Sequence, residues 1–190
     1  PSSSSKNMKV KQKALKVKDN QEICIWAFFD EESSKYINEI KFKINTKLSG
    51  PKFDPHLTLF NNIGSINKTK FDLMKEISEA EFSIKISPLE IQIKSLFFQS
   101  LFIKIKEEED LISLRNKIKK TLELKNKIFF PHISLFYGKE SEENKKQIIK
   151  DLQINLPAKL VINKIALVDT TQEIRSWKII KNFPLRKITN

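Results

Sequence analysis

Two histidines occur in this chain of 190 residues, His56 and His132, and both stand in one local pattern. Phe53-Asp54-Pro55-His56-Leu57-Thr58-Leu59-Phe60 is echoed by Phe129-Phe130-Pro131-His132-Ile133-Ser134-Leu135-Phe136. Each copy reads Pro-His-aliphatic-hydroxyl-Leu-Phe. Side chains two apart on a strand share a face. His56 therefore points with Thr58, and His132 with Ser134, while Leu57, Leu59, Ile133 and Leu135 turn into a core. Each proline stands just ahead of its strand, where a missing N–H costs little.

If the two strands lie side by side, two imidazoles and two alcohols converge on one cleft. Hydrolysis of a cyclic phosphodiester calls for that set. A base must take a proton from the attacking water, and an acid must protonate the departing oxygen on the opposite side. Histidine titrates near working pH and serves either role. Thr58 and Ser134 can donate hydrogen bonds to the non-bridging phosphate oxygens. One imidazole must be neutral and the other charged, which predicts a bell-shaped pH profile.

A single histidine on a strand is usually structural; two in matched settings, with no third in the chain, favour function. Zinc is the competing use, since Asp54 lies near His56. A closed zinc site wants four ligands, however, and the sequence has neither HExxH nor a cysteine cluster. No metal and no cofactor is expected. With three glycines in the chain, neither GxGxxG nor GxxxxGK[ST] is present.

The elements that must carry these residues follow from periodicity. Residues 23–29 form an apolar run bounded by acids and read as a buried strand. Asp30 to Ser34 opens a helix whose apolar positions, Tyr36, Ile37, Ile40, Ile44 and Leu48, end at Ser49-Gly50-Pro51. Residues 57–60 are a short strand, and 68–80 are helical through Phe71, Met74 and Ile77. Strands follow at Phe82–Ile86, Leu89–Ile93 and Ser100–Lys106. A helix after Glu107 carries Leu111, Leu114, Ile118 and Leu122. A strand at 133–136, a helix at 142–152 and two strands near 160–168 and 177–180 complete the chain. Alternating, half-buried strands without regular βαβ order predict an α+β fold with antiparallel sheets.

Composition narrows the class. Hydrophobic residues make up 39% and charged residues 31%, as in an ordinary soluble globular protein. Half of the formal +12 charge sits in six lysines, Lys6 to Lys18, that precede Asp19. Residues 1–21 therefore read as a flexible basic tail, with Pro1 to Asn7 as an appended stretch before Met8. Residues 22–190 read as one domain. The remaining positive charge favours a phosphate-bearing partner. The lone Cys24 excludes an internal disulfide and reads as a buried, inert thiol. No apolar stretch is long enough for a membrane span. A cytoplasmic monomer with no membrane partner is expected.

The paired His-x-Thr/Ser motifs resemble the two-histidine phosphoesterase superfamily, and within it the plant and yeast-type cyclic phosphodiesterases. The likeness extends to Ile25-Trp26-Ala27 with Asp30-Glu31-Glu32, and to Gly50-Pro51-Lys52-Phe53-Asp54-Pro55-His56. Leu96-Phe97-Phe98-Gln99-Ser100, Phe130 to Tyr137, and Ile165-Ala166-Leu167 with Trp177 also match, so residues 22–185 are covered. The resemblance implies a bilobal, pseudo-twofold fold of two antiparallel sheets around a central cleft, with helices outside. It implies metal-free hydrolysis of ADP-ribose 1″,2″-cyclic phosphate to ADP-ribose 1″-phosphate, and of nucleoside 2′,3′-cyclic phosphates to 2′-phosphates. His56 and His132 align with the catalytic pair, Thr58 and Ser134 with phosphate-binding hydroxyls, and Tyr137 with a tyrosine near the attacking water. On this basis His132 with Tyr137 is expected to activate water and His56 to protonate the leaving oxygen. Trp26 and Phe97 or Phe98 are expected to stack on the nucleobase. The family's redox-active disulfide has no counterpart here.

Two alternatives stand beside this reading. One is another reaction of the superfamily: cleavage of 2′,5′-linked or cyclic oligonucleotides, or ligation of RNA ends. The other is a non-catalytic protein that binds RNA ends, with the basic tail on the backbone. Binding of that kind would fall steeply with salt.

Overall fold

A computed structural model describes residues 20–188. The basic tail expected over residues 1–21 lies, except for its last two residues, outside that range.

The fold is α+β. Eight strands are β1 (Ile23–Phe29), β2 (Leu57–Phe60), β3 (Ile84–Ile86), β4 (Pro88–Leu96), β5 (Gln99–Ile105), β6 (His132–Phe136), β7 (Leu160–Asp169) and β8 (Lys178–Pro184). Four helices are α1 (Glu31–Asn45), α2 (Lys68–Ala80), α3 (Glu109–Thr121) and α4 (Glu142–Leu152). Three of the four described helices, α1, α2 and α4, begin at a side-chain cap. Asp30 accepts from Ser33 N at 2.8 Å, Asn67 from Lys70 N at 2.9 Å and Ser141 from Asn144 N at 3.2 Å, each satisfying an amide that the helix leaves unpaired. Acids fill the first turns of α1, α3 and α4, where the helix dipole favours them.

The strands run in the order β3-β7-β1-β2-β6-β5-β4, with β8 added to β7, and every pairing is antiparallel. β2 and β6, the two copies of the repeated motif, are neighbours at the centre. They join through one recorded pair, Leu57 with Ile133. The two sheets expected from the repeat therefore meet at this seam, and hydrogen bonding runs continuously across it.

One face of the sheet makes the core. Ile23, Ile25, Leu57, Leu59, Leu101, Ile103, Ile133 and Leu135 pack there under Ile37, Ile40 and Ile44 of α1, Met74 and Ile77 of α2, and Leu111, Leu114 and Ile118 of α3. α1 lies against β6 and α4. The other face of β1 gives a separate cluster of Cys24, Trp26 and Phe28 with Ala166, Val168 and Trp177. β1 is buried on both faces, which is why its sequence is continuously apolar rather than alternating.

Three local differences from the expected elements have simple causes. Phe82 lies outside β3, makes an isolated bridge with Arg186, and sits under that guanidinium at 4.5 Å. Leu89 and Leu96 are exposed because β4 is an edge strand with little packed over it. The closing strand starts after Trp177 and runs to Pro184, because the turn Ile174–Ser176 turns Trp177 into the second cluster.

Candidate active site

The register of the central seam sets the relation between the histidines. Extending the Leu57–Ile133 pair by one residue each way puts His56 opposite Ser134 and Thr58 opposite His132. Residues directly opposite on one face have Cβ atoms about 4.5–5.5 Å apart, and diagonal ones about 7–8 Å. The two histidines occupy a diagonal. Each histidine thus stands opposite the hydroxyl residue of the other motif, and both histidines line one cleft.

Both imidazoles are anchored identically. His56 Nδ1 lies 2.7 Å from the carbonyl of Asp54, and His132 Nδ1 lies 2.8 Å from the carbonyl of Phe130. A carbonyl oxygen only accepts, so each Nδ1 carries a hydrogen and donates it. Nε2 of each ring is left to exchange protons with a substrate.

The surroundings of the two rings differ. His56 is buried, with the ring of Trp26 stacked on it at 3.5 Å and 8°. His132 is half-buried, met edge-on by Phe102 at 5.3 Å and at a 32° tilt by Phe130 at 5.5 Å. Burial pushes the His56 pKa down to about 3, opposed by the Asp54 carbonyl and reinforced by Lys41 and His132. Burial also lowers His132, with Lys94 adding to the effect against the Phe130 carbonyl. Both rings are therefore neutral in the empty site at neutral pH. The proton needed by an acid must be drawn in by the negative charge of the substrate.

Tyr137 lies beside this pair. Its ring stacks on Phe53 at 4.0 Å and meets Phe98 and Trp177 edge-on at 5.2 and 5.9 Å. Burial holds its hydroxyl up at about 12, against the smaller opposite effect of a hydrogen bond with Ser134. It is a neutral phenol, fit to hold a water and unfit to remove its proton.

A cleft of about 740 Å³ brings together His56, Thr58, His132, Ser134 and Tyr137, with Trp26, Phe97 and Phe98 also on its walls. Trp26 is 4% exposed and one ring face is taken by His56, so its contact is with the histidine. Phe98 is 53% exposed and near-parallel to Trp177, at 6.2 Å and 22°. Cys24 is buried as expected, but on the cleft side rather than in the main core, with Sγ 3.2 Å from Thr170 Oγ1. Among the described residues, no three His, Cys, Asp or Glu side chains come together as a metal-holding group.

Sequence reasoning missed two sets of residues. Asn61, Thr170 and Gln172 line the cleft from chain-distant loops and carry no local pattern. Lys41 and Arg115, both buried, share a pattern in space rather than in sequence. Lys41 of α1 sits 3.6 Å over the ring of Phe53 and donates to the Phe53 carbonyl. Arg115 of α3 sits 4.5 Å over Phe129 and donates to the carbonyls of Leu59 at 3.0 Å and Lys127 at 3.2 Å. Phe53 and Phe129 each stand three residues before a histidine. In space, the repeat thus extends backward to a cation that fixes the chain's approach to each histidine strand.

Comparison with known proteins shows the family and the fold. A model of the family "Cyclic phosphodiesterase-like protein" matches residues 22–185. The cyclic phosphodiesterase of Arabidopsis thaliana is 24% identical over 168 residues, 82% of this chain and 91% of that protein. E. coli LigT, solved with phosphate, is 14% identical with a TM-score of 0.56, covering 87% of this chain and 98% of that one. TT0787 of Thermus thermophilus is 16% identical with a TM-score of 0.58, covering 87% and 98%. With both motif copies intact, the chain belongs to the cyclic phosphodiesterase-like family and is a phosphodiesterase hydrolase.

Proposed function

We propose that the protein opens cyclic phosphodiesters without a metal: ADP-ribose 1″,2″-cyclic phosphate to ADP-ribose 1″-phosphate, and nucleoside 2′,3′-cyclic phosphates to 2′-phosphates. The observation that carries this is the diagonal placement of two Nδ1-anchored histidines, each opposite the other motif's hydroxyl residue. E. coli LigT, of the same fold, has been solved with phosphate and with 3′-AMP, ligands of the class proposed here.

Water attacks phosphorus in line with the ribose oxygen that leaves. One neutral Nε2 takes the water proton while the other, protonated, gives its proton to the leaving oxygen, so the imidazoles exchange protonation states. Thr58 and Ser134 donate to the non-bridging oxygens, and Tyr137 holds the water. The expectation gave His132 the base role; the difference in burial favours the reverse. The more buried ring, His56, resists protonation and suits the base. The more exposed His132 accommodates the positive charge and suits the acid. Phe98, open at the mouth, stacks on the base, a contact worth about 1–3 kcal/mol in other nucleic-acid-binding proteins, and Trp177 closes the opposite side.

The pH dependence follows in sign. Activity rises as His56 loses its proton and falls as His132 loses its own. Since both values lie below that of a free imidazole in the empty site, kcat/KM should be a bell centred below about pH 6.5. Bound phosphate raises both values, so the alkaline limb of kcat should lie at higher pH than that of kcat/KM. A one-ionisation sigmoid would contradict the two-histidine mechanism.

The substrate assignment is tested with a panel of cyclic phosphates and 2′,5′-linked oligonucleotides in excess EDTA, reading the product phosphate position by phosphorus NMR. Turnover of the cyclic phosphates alone is expected. Turnover confined to oligonucleotides, or lost in EDTA, would refute the assignment.

A further inference from the structure

The seam that brings the histidines together is short. β2 and β6 join through the one recorded pair, Leu57 with Ile133. The chain leaves β2 after Leu59 and Phe60, and it enters β6 from Lys127 to Pro131. Arg115 of α3 spans these two segments. Its Nε donates to the Leu59 carbonyl at 3.0 Å, and its Nη2 donates to the Lys127 carbonyl at 3.2 Å. The guanidinium also lies over two rings, at 4.4 Å from Phe60 and 4.5 Å from Phe129. Phe60 closes the first motif and Phe129 opens the second, so one side chain grips both. Lys127 adds a further tie between the same segments, from Nζ to the Asn61 carbonyl at 3.0 Å.

Arg115 is 6% exposed, and among the described residues no carboxylate pairs with it. A buried charge is costly unless its donors are satisfied, and here the carbonyls and aromatic faces of two strands do that. Both segments must hold their places for the charge to be accommodated. The planar fork of arginine suits two acceptors in fixed directions, and the point charge of lysine does not. Lys41, the other cation placed over a motif phenylalanine, makes its hydrogen bond and ring contact with Phe53 alone.

We infer that Arg115 is a positioning residue for the reaction: by clamping the end of β2 to the entry of β6, it sets the offset between His56 and His132. The inference rests on the two-histidine hydrolase reading above. His56 stands three residues before Leu59, and His132 three after Phe129. A slip of the two segments past one another would change the spacing of the rings while leaving each ring on its own carbonyl. Misplacing reacting groups by about 1 Å costs about 10²-fold in rate.

The test compares the wild type with Arg115→Met, Arg115→Lys and Ile118→Ala on adenosine 2′,3′-cyclic phosphate, at a temperature where circular dichroism shows each variant folded. Ile118 is fully buried on the same helix and controls for lost packing. Arg115→Met should lower kcat about 10²-fold, and Arg115→Lys should recover little of that loss. Ile118→Ala should stay within about two-fold of the wild type. In a His132→Ala background, Arg115→Met should lose less than about three-fold more, because the spacing of two rings no longer matters once one is gone. The ring signals of the two histidines in NMR spectra give a readout independent of turnover. Both should shift in Arg115→Met and neither in Ile118→Ala. If Arg115→Met does not fold, Arg115→Lys carries the same comparisons. An equal fold-loss in both backgrounds, full activity in Arg115→Lys, unmoved ring signals, or an equal loss in Ile118→Ala would each overturn the positioning role. If the wild type turned over no cyclic phosphate, the hydrolase reading would fail, while the ring signals still decided whether Arg115 places the histidines.

Discussion

His56→Ala and His132→Ala should each lower kcat on a nucleoside 2′,3′-cyclic phosphate by about 10²–10⁴-fold, the usual contribution of a positioned acid or base. The double variant should be little worse than the weaker single, because groups that act in one proton exchange are not additive. Truncation of His56 removes the ring that stacks on Trp26 at 3.5 Å, so some stability will go with it; His132, half-buried at the strand start, costs less. Circular dichroism and thermal unfolding separate lost fold from lost chemistry. The roles themselves are distinguished by the leaving group. A p-nitrophenyl phosphodiester departs without a proton, so it should largely rescue the variant that lacks the acid and leave the other impaired. Rescue of His132→Ala supports His56 as the base, and rescue of His56→Ala restores the assignment expected from the family likeness. Retention of activity within ten-fold by both alanine variants would end the mechanism and favour a protein that only binds.

The parts of this site that could be read in the sequence are those written in short stretches of chain. Pro-His-aliphatic-hydroxyl-Leu-Phe specifies a strand and the face of its histidine within six residues, and Asp30 and Ser141 mark helix starts by side-chain chemistry alone. Even the α+β class followed from alternation. What the pattern leaves open is which hydroxyl meets which ring, because that depends on the Leu57–Ile133 register, a pairing between strands 76 positions apart. The same holds for Trp177, which reaches the site only because β7 and β8 pair beside β1. Trp26 was visible as an aromatic near the motif, yet its partner, His56, is fixed by the β1–β2 register that sets Trp26 against Thr58. Lys41 and Arg115 form the instructive case. Charged residues on helices read as solvent-facing, and the fact that each settles on a phenylalanine three residues before a histidine emerges only when the helices are packed.

The largest stability loss among conservative changes should come from Gly138→Ala. Gly138 follows Tyr137 and holds φ +154°, a conformation that side chains rarely adopt. A Cβ there would lie 2.7 Å from Cζ of Phe136, and a Cβ on Gly50 would lie 2.6 Å from Cε2 of the same ring. Two glycines from separate loops thus pinch one buried phenylalanine, the last residue of the second motif. The Gly138 amide also donates to the Phe97 carbonyl at 3.1 Å, which ties the β4–β5 hairpin to the chain just after Tyr137. Alanine must displace either the ring or the loop. Backbone strain and overpacking together should cost about 2–5 kcal/mol. Gly64 supplies the control. Its φ is +82°, but nothing lies within 4 Å of an added Cβ, so Gly64→Ala carries strain alone, about 1–2 kcal/mol. Urea unfolding of both variants measures the difference. Because the loop at Gly138 follows Tyr137 directly and holds the Phe97 carbonyl through its amide, Gly138→Ala should also lower kcat under conditions where it remains folded. Equal stability loss in the two variants would show that the ring is not pinched, and that Tyr137 is held by its own aromatic contacts instead.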